Sequence, residues 1–273
     1  MSPKTANPRI RLFALSLLAV ACLGGCASDG GFNYDMVYEG LFGDEPPPSP
    51  TQAVAMMFDR EDADARRKGI TWLAASPFGG EEEYLKSYRL FITDPDANVR
   101  ASTAKALGAH GTVGDAMLLV LLLSDEDSLV RWQAADALRK VHNPQAIPAL
   151  VQRLDPDVEE DADTRTAAAQ ALGQYPDRVV FTRMVFGLTD RSYSVVNAAR
   201  LSLIQLTGHD AGLDPRDWSD WSARSTDLFQ GQTAYTYETY QPTRDWFDTY
   251  VTFWNNEAGE KKPKGLTKAE GDN

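Results

Sequence analysis

The sequence predicts an all-α fold of the α-solenoid class, in which helical hairpins stack one on another. Five segments each close with a leucine, and the intervals between these leucines are 34, 31, 34 and 31 residues: Leu73, Leu107, Leu138, Leu172 and Leu203. A second apolar segment of helical length follows each of the first four. A repeat of this length indicates a unit that cannot bury its apolar face alone and buries it by stacking.

The first 25 residues carry the pattern of an export signal. Three basic residues and no acidic residue precede an apolar stretch from Leu12 to about Leu23. This stretch is too short for a membrane-spanning helix, which needs roughly 20 apolar residues. It ends in Leu23-Gly24-Gly25-Cys26, which resembles the lipobox of bacterial lipoproteins. The resemblance implies cleavage before Cys26 and attachment of lipid to its thiol.

Two alternatives to lipid attachment at Cys26 stay open. One is an ordinary signal peptide with an incidental cysteine. The other acceptor is Cys22, although Ala19-Val20-Ala21 lacks the leucine expected three places before the cysteine. Ala27 and Ser28, rather than aspartate, follow Cys26. In a Gram-negative lipoprotein this favours the outer over the inner membrane, so we expect a lipid-anchored protein on the periplasmic side of the cell envelope.

Composition argues against several classes of function. The chain has a formal charge of −12, and removal of residues 1–25 would leave −15 over 248 residues, because the lost charges are all positive. An acidic surface repels phosphate backbones, so we expect no nucleic-acid partner. Both cysteines lie in or next to the signal. The exported part therefore has no intrachain disulfide, no thiolate metal site and no cysteine nucleophile apart from the proposed lipid acceptor.

Residues 26–50 are predicted to form a tether between the lipid and the repeats. The segment mixes glycine, aspartate and scattered aromatic residues, and it ends in Asp44-Glu45-Pro46-Pro47-Pro48-Ser49-Pro50. The closely spaced prolines favour an extended, stiff chain and argue against a helix in this stretch.

Residues 51–210 are predicted to form the repeat array. In the three clearest copies an arginine stands seven residues before the closing leucine: Arg100, Arg131 and Arg165. An aspartate stands five residues before the first residue of a copy at three places: Asp94, Asp125 and Asp190. We expect these aspartates to cap the helices that follow and to favour their positive ends. The second helices are predicted at Glu81–Phe91, Gly114–Leu123, Gln145–Leu154 and Arg178–Leu188.

These repeats resemble the HEAT family in its short bacterial form. The resemblance rests on Asp-Pro-Asp-x-x-Val-Arg at Asp94–Arg100 and on the Ala-x-Ala-Leu endings, and it spans roughly residues 55–208. It implies that the second helices line the concave side and that the repeat arginines pair with aspartates of neighbouring turns. The alternative, a ladder of arginines that binds anions, stays open. The last copy has Val196 in place of the arginine, as expected of a capping repeat.

The C-terminal residues are predicted to cap the array. Residues 211–255 contain Trp218 and Trp221 and look like the tryptophan-helix ending of some exported bacterial HEAT proteins. Aromatic residues at helical spacing predict a short amphipathic helix near Trp246, which either packs back on the repeats or offers an apolar patch to a partner. The polar residues 256–273 are predicted to be disordered.

No motif in the sequence indicates catalysis. HEAT-type hydroxylases bind iron through His-Glu pairs, and His110, His142 and His209 form none. Nucleotide-binding and serine-hydrolase motifs are absent. We therefore expect no enzyme activity, no cofactor and no resident metal. The acidic loop Asp155–Asp163 leaves weak calcium binding open, although it lacks the spacing and the glycine of an EF-hand.

The sequence thus predicts a lipid-anchored HEAT-repeat scaffold that binds a protein or peptide partner in the cell envelope. Stacked hairpins form long surfaces suited to such partners. We expect the partner to contact polar and aromatic residues of the second helices: Lys86, Tyr88, Arg89, Gln152, Arg153 and Arg183.

Three other functions are weighed against this one. The first is a structural envelope protein that assembles through its aromatic C-terminal region and has no dedicated ligand. The second is an enzyme with dispersed catalytic residues, which no nucleophile–base pair or metal cluster in the sequence supports. The third is a bilin lyase, since short HEAT repeats also occur in those enzymes. Bilin lyases act in the cytosol, so the export signal argues against this activity.

Overall fold

The computed structural model describes residues 48–238 and 260–266, and these are mostly helical. A short helix comes first, α1 (Pro50–Met57). The first helices of the repeats are α2 (Ala63–Ala75), α4 (Ala97–His110), α6 (Ser128–Leu138), α8 (Ala162–Leu172) and α10 (Tyr193–Thr207). The second helices are α3 (Glu82–Leu90), α5 (Ala116–Leu122), α7 (Ile147–Arg153) and α9 (Arg178–Gly187). The last helix is α11 (Pro215–Arg224).

The fold is an all-α solenoid, as the sequence predicts. The first helices form one layer, in which each packs against the next from α2 to α10. Each second helix packs mainly against the first helix that follows it, and α1 takes the same place against α2. α11 packs on α9 at the C-terminal end. All four second helices begin and end within two residues of their predicted bounds, and short 3-10 turns, Val113–Asp115 and Pro144–Ala146, lead into α5 and α7.

Small residues bring the first helices close together. Gly108 of α4 lies against Ala137 of α6, where an added Cβ would stand 2.7 Å from the Ala137 Cβ, closer than real contacts allow. Alanines elsewhere on these helices are buried in the same layer, among them Ala104, Ala135 and Ala169. The five closing leucines are all fully buried. The alanine-rich repeat therefore sets the tight spacing of the layer, and the leucines fill its interior.

Four first helices are capped by an aspartate: Asp62, Asp96, Asp127 and Asp161. The prediction that Asp94, Asp125 and Asp190 cap these helices was wrong, because each stands two residues before the cap position. The carboxylate of Asp94 accepts a hydrogen bond from the backbone N–H of the cap residue Asp96, at 2.9 Å. These three aspartates therefore hold the cap residue rather than the helix itself.

A C-terminal strap, residues 226–238 and 260–266, crosses the C-terminal ends of the first helices. The backbone N–H of Thr233 donates to the carbonyl of Gln205 on α10, at 2.9 Å. The buried hydroxyl of Tyr235 donates to the carbonyl of Gln170 on α8, also at 2.9 Å. The strap then forms β1 (Tyr237–Glu238), which pairs antiparallel with β2 (Glu260–Lys261).

The end of the strap reaches two more first helices. The backbone N–H of Lys264 donates to the carbonyl of Lys140, just beyond α6, at 2.9 Å. Its ammonium donates to the carbonyls of Ala109 and Gly111 at the end of α4, both at 2.9 Å. A cation is favoured there because the last carbonyls of a helix lack partners and carry partial negative charge. The prediction of disorder was therefore wrong for residues 260–266.

Several predictions lie outside the described residues, namely the signal with Cys26, most of the tether and the helix near Trp246. Within the described residues, the tether prediction was wrong for Pro50, which is the first residue of α1. Proline is tolerated there because the first N–H of a helix needs no partner. In the ranges 48–238 and 260–266, no helix is long and apolar enough to cross a membrane. The other domain boundaries stay predictions.

Tyr88 on α3 offers a test of the packing. Its side chain is fully buried, and its hydroxyl has no hydrogen-bond partner among the described residues. We expect Tyr88→Phe to leave the free energy of unfolding unchanged or to raise it by up to about 1 kcal/mol, because a buried unpaired hydroxyl is removed and the ring is kept. Thermal unfolding measures this.

Tyr175→Phe is the matched control for Tyr88→Phe. The Tyr175 hydroxyl is also buried, but it donates to the carbonyl of Asn143 at 3.1 Å. Its loss should lower the free energy of unfolding by about 1 kcal/mol. If Tyr88→Phe destabilises the protein as much as the control, the Tyr88 hydroxyl has a hydrogen-bond partner and the assigned environment of this side chain is incorrect.

Candidate interaction surface

An arginine near the start of a first helix joins two successive turns of the array. In Arg100, Nε and Nη2 donate to the two carboxylate oxygens of Asp125, both at 2.7 Å. Nη1 donates to the carbonyls of Asp94 and Pro95, at 2.9 and 3.2 Å. We call the four bidentate pairs of this kind the arginine ladder: Arg66–Asp94, Arg100–Asp125, Arg131–Glu159 and Arg165–Asp190.

The ladder supports the array and does not form an open anion site. In all four arginines, Nε and Nη2 bind a carboxylate of the next turn, and Nη1 binds backbone carbonyls of the preceding turn. The Nε–Nη2 edge of each guanidinium group, which would bind an anion bidentately, is taken by a carboxylate of the protein, so anion binding by the ladder is not supported. Each pair of the ladder instead holds one hairpin against the next. The pairs therefore fix the positions of the second helices and of their outer side chains.

Glu159 is a member of the ladder that sequence reasoning missed. It belongs to the acidic loop for which calcium binding stayed open, and its side chain is fully buried. It accepts from Arg131 at 2.6 and 2.7 Å and lies 3.4 Å from Arg153. The signal was present in the sequence, because Glu159 stands six residues before Arg165, as Asp94 does before Arg100. Its two arginine partners occupy its carboxylate, so Glu159 is not available to a calcium ion.

The turn acids make the stability depend on pH. Burial alone would raise the pKa of Asp125, Glu159 and Asp190. The hydrogen bonds from their arginines and from backbone N–H groups outweigh burial and hold the pKa of each below its ordinary value. A carboxyl with a lowered folded-state pKa contributes stability above its unfolded pKa, about 3.9 for Asp and 4.3 for Glu, and loses it as the pH falls through the folded value.

We therefore expect the free energy of unfolding to fall steadily as the pH is lowered from about 5 to about 2, over the range in which these carboxyls take up protons. Urea unfolding followed by circular dichroism at a series of pH values measures the trend. A free energy of unfolding that stays constant or rises over this range would contradict the assigned ion pairs.

The structure divides the predicted partner-contacting residues into three groups. Lys86, Gln152 and Arg183 are exposed on the second helices. The prediction was wrong for Tyr88, which is fully buried. Two arginines are held by acids of the protein itself and are no longer free cations. Arg89 is bound bidentately by Asp115 at 2.6 and 3.1 Å, and Arg153 lies beside Glu159. The sequence spacing of the two arginines does not reveal these pairs, because Asp115 and Glu159 lie on other elements.

The second helices instead present a column of exposed apolar side chains. Leu90, Leu121 and Phe186 have exposed fractions of 66%, 58% and 51%. Along the chain Leu90, Leu121, Gln152 and Phe186 follow one another at intervals of 31, 31 and 34 residues, so Gln152 takes the corresponding position on α7. We call these four residues the second-helix ridge: Leu90, Leu121, Gln152 and Phe186. The sequence does not reveal this ridge, because leucine and phenylalanine on an amphipathic helix are typical of its buried face.

The histidines lie at helix ends and serve packing. The Nε2 of His110 donates to the carbonyl of Ala74 at 2.6 Å, and His209 stacks on Trp221 with ring centroids 4.9 Å apart. Trp218 is fully buried at the C-terminal end of the array. Across the described ranges, no group of three or more His, Cys, Asp or Glu side chains is arranged to hold a metal ion.

Comparison with known proteins agrees with this architecture. Residues 88–173 and 116–204 match the model of HEAT repeats. No curated protein matches the sequence. Similar solved structures include an engineered protein, at 20% identity and a TM-score of 0.49, covering 65% of this chain and 88% of that one. YibA of Escherichia coli is 16% identical with a TM-score of 0.47, and the match covers 82% of this chain and all of that one.

A further similar structure is the complex of CpcE and CpcF, a phycocyanin lyase from Nostoc, at 19% identity and a TM-score of 0.40. That match covers 61% of this chain and 79% of the other. All three TM-scores are below 0.5, so these likenesses carry no inference about function. The repeat spacing and the helical layers define the class, an α-solenoid, which is a scaffold fold, and residues 88–204 of it match HEAT repeats.

Proposed function

We infer that the protein is a lipid-anchored scaffold of the bacterial cell envelope that binds a protein or peptide partner along the second-helix ridge. The ridge carries this proposal. Three exposed large apolar side chains stand at one repeated position on a helical face, Leu90, Leu121 and Phe186. Aligned exposed apolar residues of this kind are typical of protein interaction sites. HEAT repeats commonly mediate protein interactions, which supports the same function.

The fold beneath the ridge suits it to binding. The arginine ladder and the Arg89–Asp115 pair join successive hairpins through bidentate contacts at 2.6–3.1 Å. Charge-assisted bidentate pairs fix orientation as well as distance. The ridge is therefore held in position before a partner arrives, which lowers the entropic cost of binding. Exposed Lys86 and Arg183 beside Leu90 and Phe186 favour a partner whose apolar side chains are flanked by acidic groups.

Substitution at the ridge tests the proposal. Gln152 shows that glutamine is accepted at this position, so the double variant Leu121→Gln/Phe186→Gln should fold normally. Leu129→Gln is the matched control, since Leu129 is 40% exposed on the first helix α6. The intact protein, crosslinked and captured from its own envelope, should yield a specific protein that the ridge variant loses and the control keeps. Equal capture by all three forms would contradict a role of the ridge.

Lipid attachment rests on the resemblance of Leu23-Gly24-Gly25-Cys26 to a lipobox. We expect Cys26→Ser to abolish incorporation of labelled palmitate and to release the protein from the membrane fraction, whereas Cys22→Ser should leave both unchanged. Incorporation that survives Cys26→Ser, or is lost in Cys22→Ser, would contradict the assignment. Fractionation of the two membranes separates the proposed outer-membrane position from an inner-membrane one.

The competing function, assembly through the aromatic C-terminal region, receives less support. Leu228 and Tyr235 of this region are buried against the repeats of the same chain. The aromatic residues between 239 and 259 lie outside the described residues. The part of the region that the structure describes therefore belongs to the fold.

A further inference from the structure

A polar groove of about 350 Å³ runs between the first helices α8 and α10 and the C-terminal strap. Its floor includes Gln170, Asn197, Leu201 and Gln205, and strap residues 235–238 form one wall. These are first-helix residues, so the groove and the second-helix ridge are formed by different helices. The volume lies in the range of small-ligand and peptide sites.

The chemistry of the groove is that of neutral amides and hydroxyls. Thr166 and Ser194 line it beside the three amide side chains, and Leu201 adds an apolar surface that is 52% exposed. The charged lining residues are Arg139, already paired with Asp136 at 2.9 Å, and Glu238. An amide side chain donates and accepts hydrogen bonds at once, which matches the alternating N–H and C=O groups of a peptide main chain.

The protein already binds an extended main chain at this place. The Nε2 of Gln205 donates to the carbonyl of Ala234 in the strap, at 3.2 Å. The N–H of Thr233 donates to the carbonyl of the same glutamine, at 2.9 Å. Gln170 and Asn197, by contrast, face the groove on neighbouring helices, α8 and α10. Gln170 and Asn197 thus carry the same amide group with which Gln205 binds the strap.

The strap also offers a strand edge. β1 pairs with β2 on one side through Tyr237↔Lys261 and Glu238↔Glu260. Both β1 residues line the groove. In the described part of the chain no strand pairs with the groove side of β1. A free edge beside a groove is the geometry in which an extended peptide adds to a sheet.

We propose that this groove binds an extended segment of a polypeptide, whose main chain is held by Gln170 and Asn197 and by the groove-side edge of β1, with a small apolar side chain over Leu201. The site is additional to the second-helix ridge and does not depend on it. Neutral amides suit the main chain of many sequences, so we expect affinity from the backbone and selectivity from the residue over Leu201.

The test uses the full-length protein and a displayed library of random heptapeptides flanked by glycines. Enriched peptides should bind saturably, and Gln170→Ala/Asn197→Ala should weaken them at least tenfold. Asn98→Ala, which removes an exposed amide on α4, is the matched control and should leave binding unchanged. N-methylation of the peptide main chain should abolish binding, which a site specific for side chains would not show. All variants should melt at the wild-type temperature, because these positions are solvent-accessible.

Three results would overturn the proposal. The first is a library without saturable binders, and the second is binders that tolerate the double substitution. The third is saturable binding of a chitin oligosaccharide that the double substitution abolishes, which would assign the amides to a glycan. The ridge variant Leu121→Gln/Phe186→Gln should bind the heptapeptides normally, so failure of this site and failure of the proposed function are separate results.

Discussion

Replacing Arg165 with alanine is expected to lower the free energy of unfolding by about 3–5 kcal/mol, the cost of breaking a buried ion pair from one side. The side chains of Arg165 and Asp190 are only 1% and 2% exposed. Without the arginine, the Asp190 carboxylate is left buried with one partner fewer. The carbonyls of Glu159 and Glu160 also lose their donor, Nη1 of Arg165. Urea unfolding followed by circular dichroism measures the change.

An exposed ion pair in the same protein is the control for Arg165→Ala. Arg216 pairs with Asp214 at 2.8 Å, but its side chain is 88% exposed. Solvent screens such a pair, so Arg216→Ala should leave the free energy of unfolding essentially unchanged. The double variant Arg165→Met/Asp190→Leu should be more stable than Arg165→Ala, because no buried charge is left unpaired. A loss of less than about 1 kcal/mol in Arg165→Ala would show that the ladder does not hold the hairpins together.

Removal of the C-terminal strap is the second change with a large expected effect. A chain that ends after residue 225 loses the buried side chains of Leu228 and Tyr235 and the ammonium of Lys264 at the end of α4. Loss of one large buried side chain typically costs 2–5 kcal/mol. We therefore expect a loss of at least about 3 kcal/mol, or a fall of roughly 6–12 °C in the melting temperature.

A chain that ends after residue 266 is the matched control for the truncation, because it keeps every strap contact in the described ranges. Its melting temperature should equal that of the full chain. Equal melting temperatures for all three forms would show that the strap is not part of the fold. If the expected loss occurs, the shorter form is a poor probe of partner binding, since any lost partner could reflect a weakened array.

The repeat pattern was sufficient to predict the fold class and the helix positions. Buried leucines such as Leu107 and Leu138 recur once per hairpin, and stacking is the only way for such hairpins to bury their apolar faces. The aspartate caps were predicted two residues too early in the chain. From the sequence alone Asp94 and Asp96 are equally suitable caps, and only the position of the guanidinium that binds Asp94 distinguishes them. That guanidinium belongs to Arg66, 28 residues earlier in the chain.

The candidate surface was harder to predict. A leucine at helical spacing is assigned to the core, and only packing shows that Leu119 is buried while Leu121 is exposed. Arg89 and Arg153 were predicted to be free cations because the carboxylates of Asp115 and Glu159, which bind them, lie on other elements. The ammonium of Lys264 binds carbonyls at the end of α4, more than 150 residues earlier in the chain. The sequence around Lys264 therefore does not predict this contact.

The most direct test of the central claim is photo-crosslinking in the native envelope. A photoreactive phenylalanine is placed at position 121 in one form of the full-length protein and at position 129 in another. We predict that position 121 gives a discrete crosslinked protein and that position 129 does not. A crosslink of equal yield from both positions, or none from position 121 together with a discrete one from position 129, would contradict binding along the second-helix ridge.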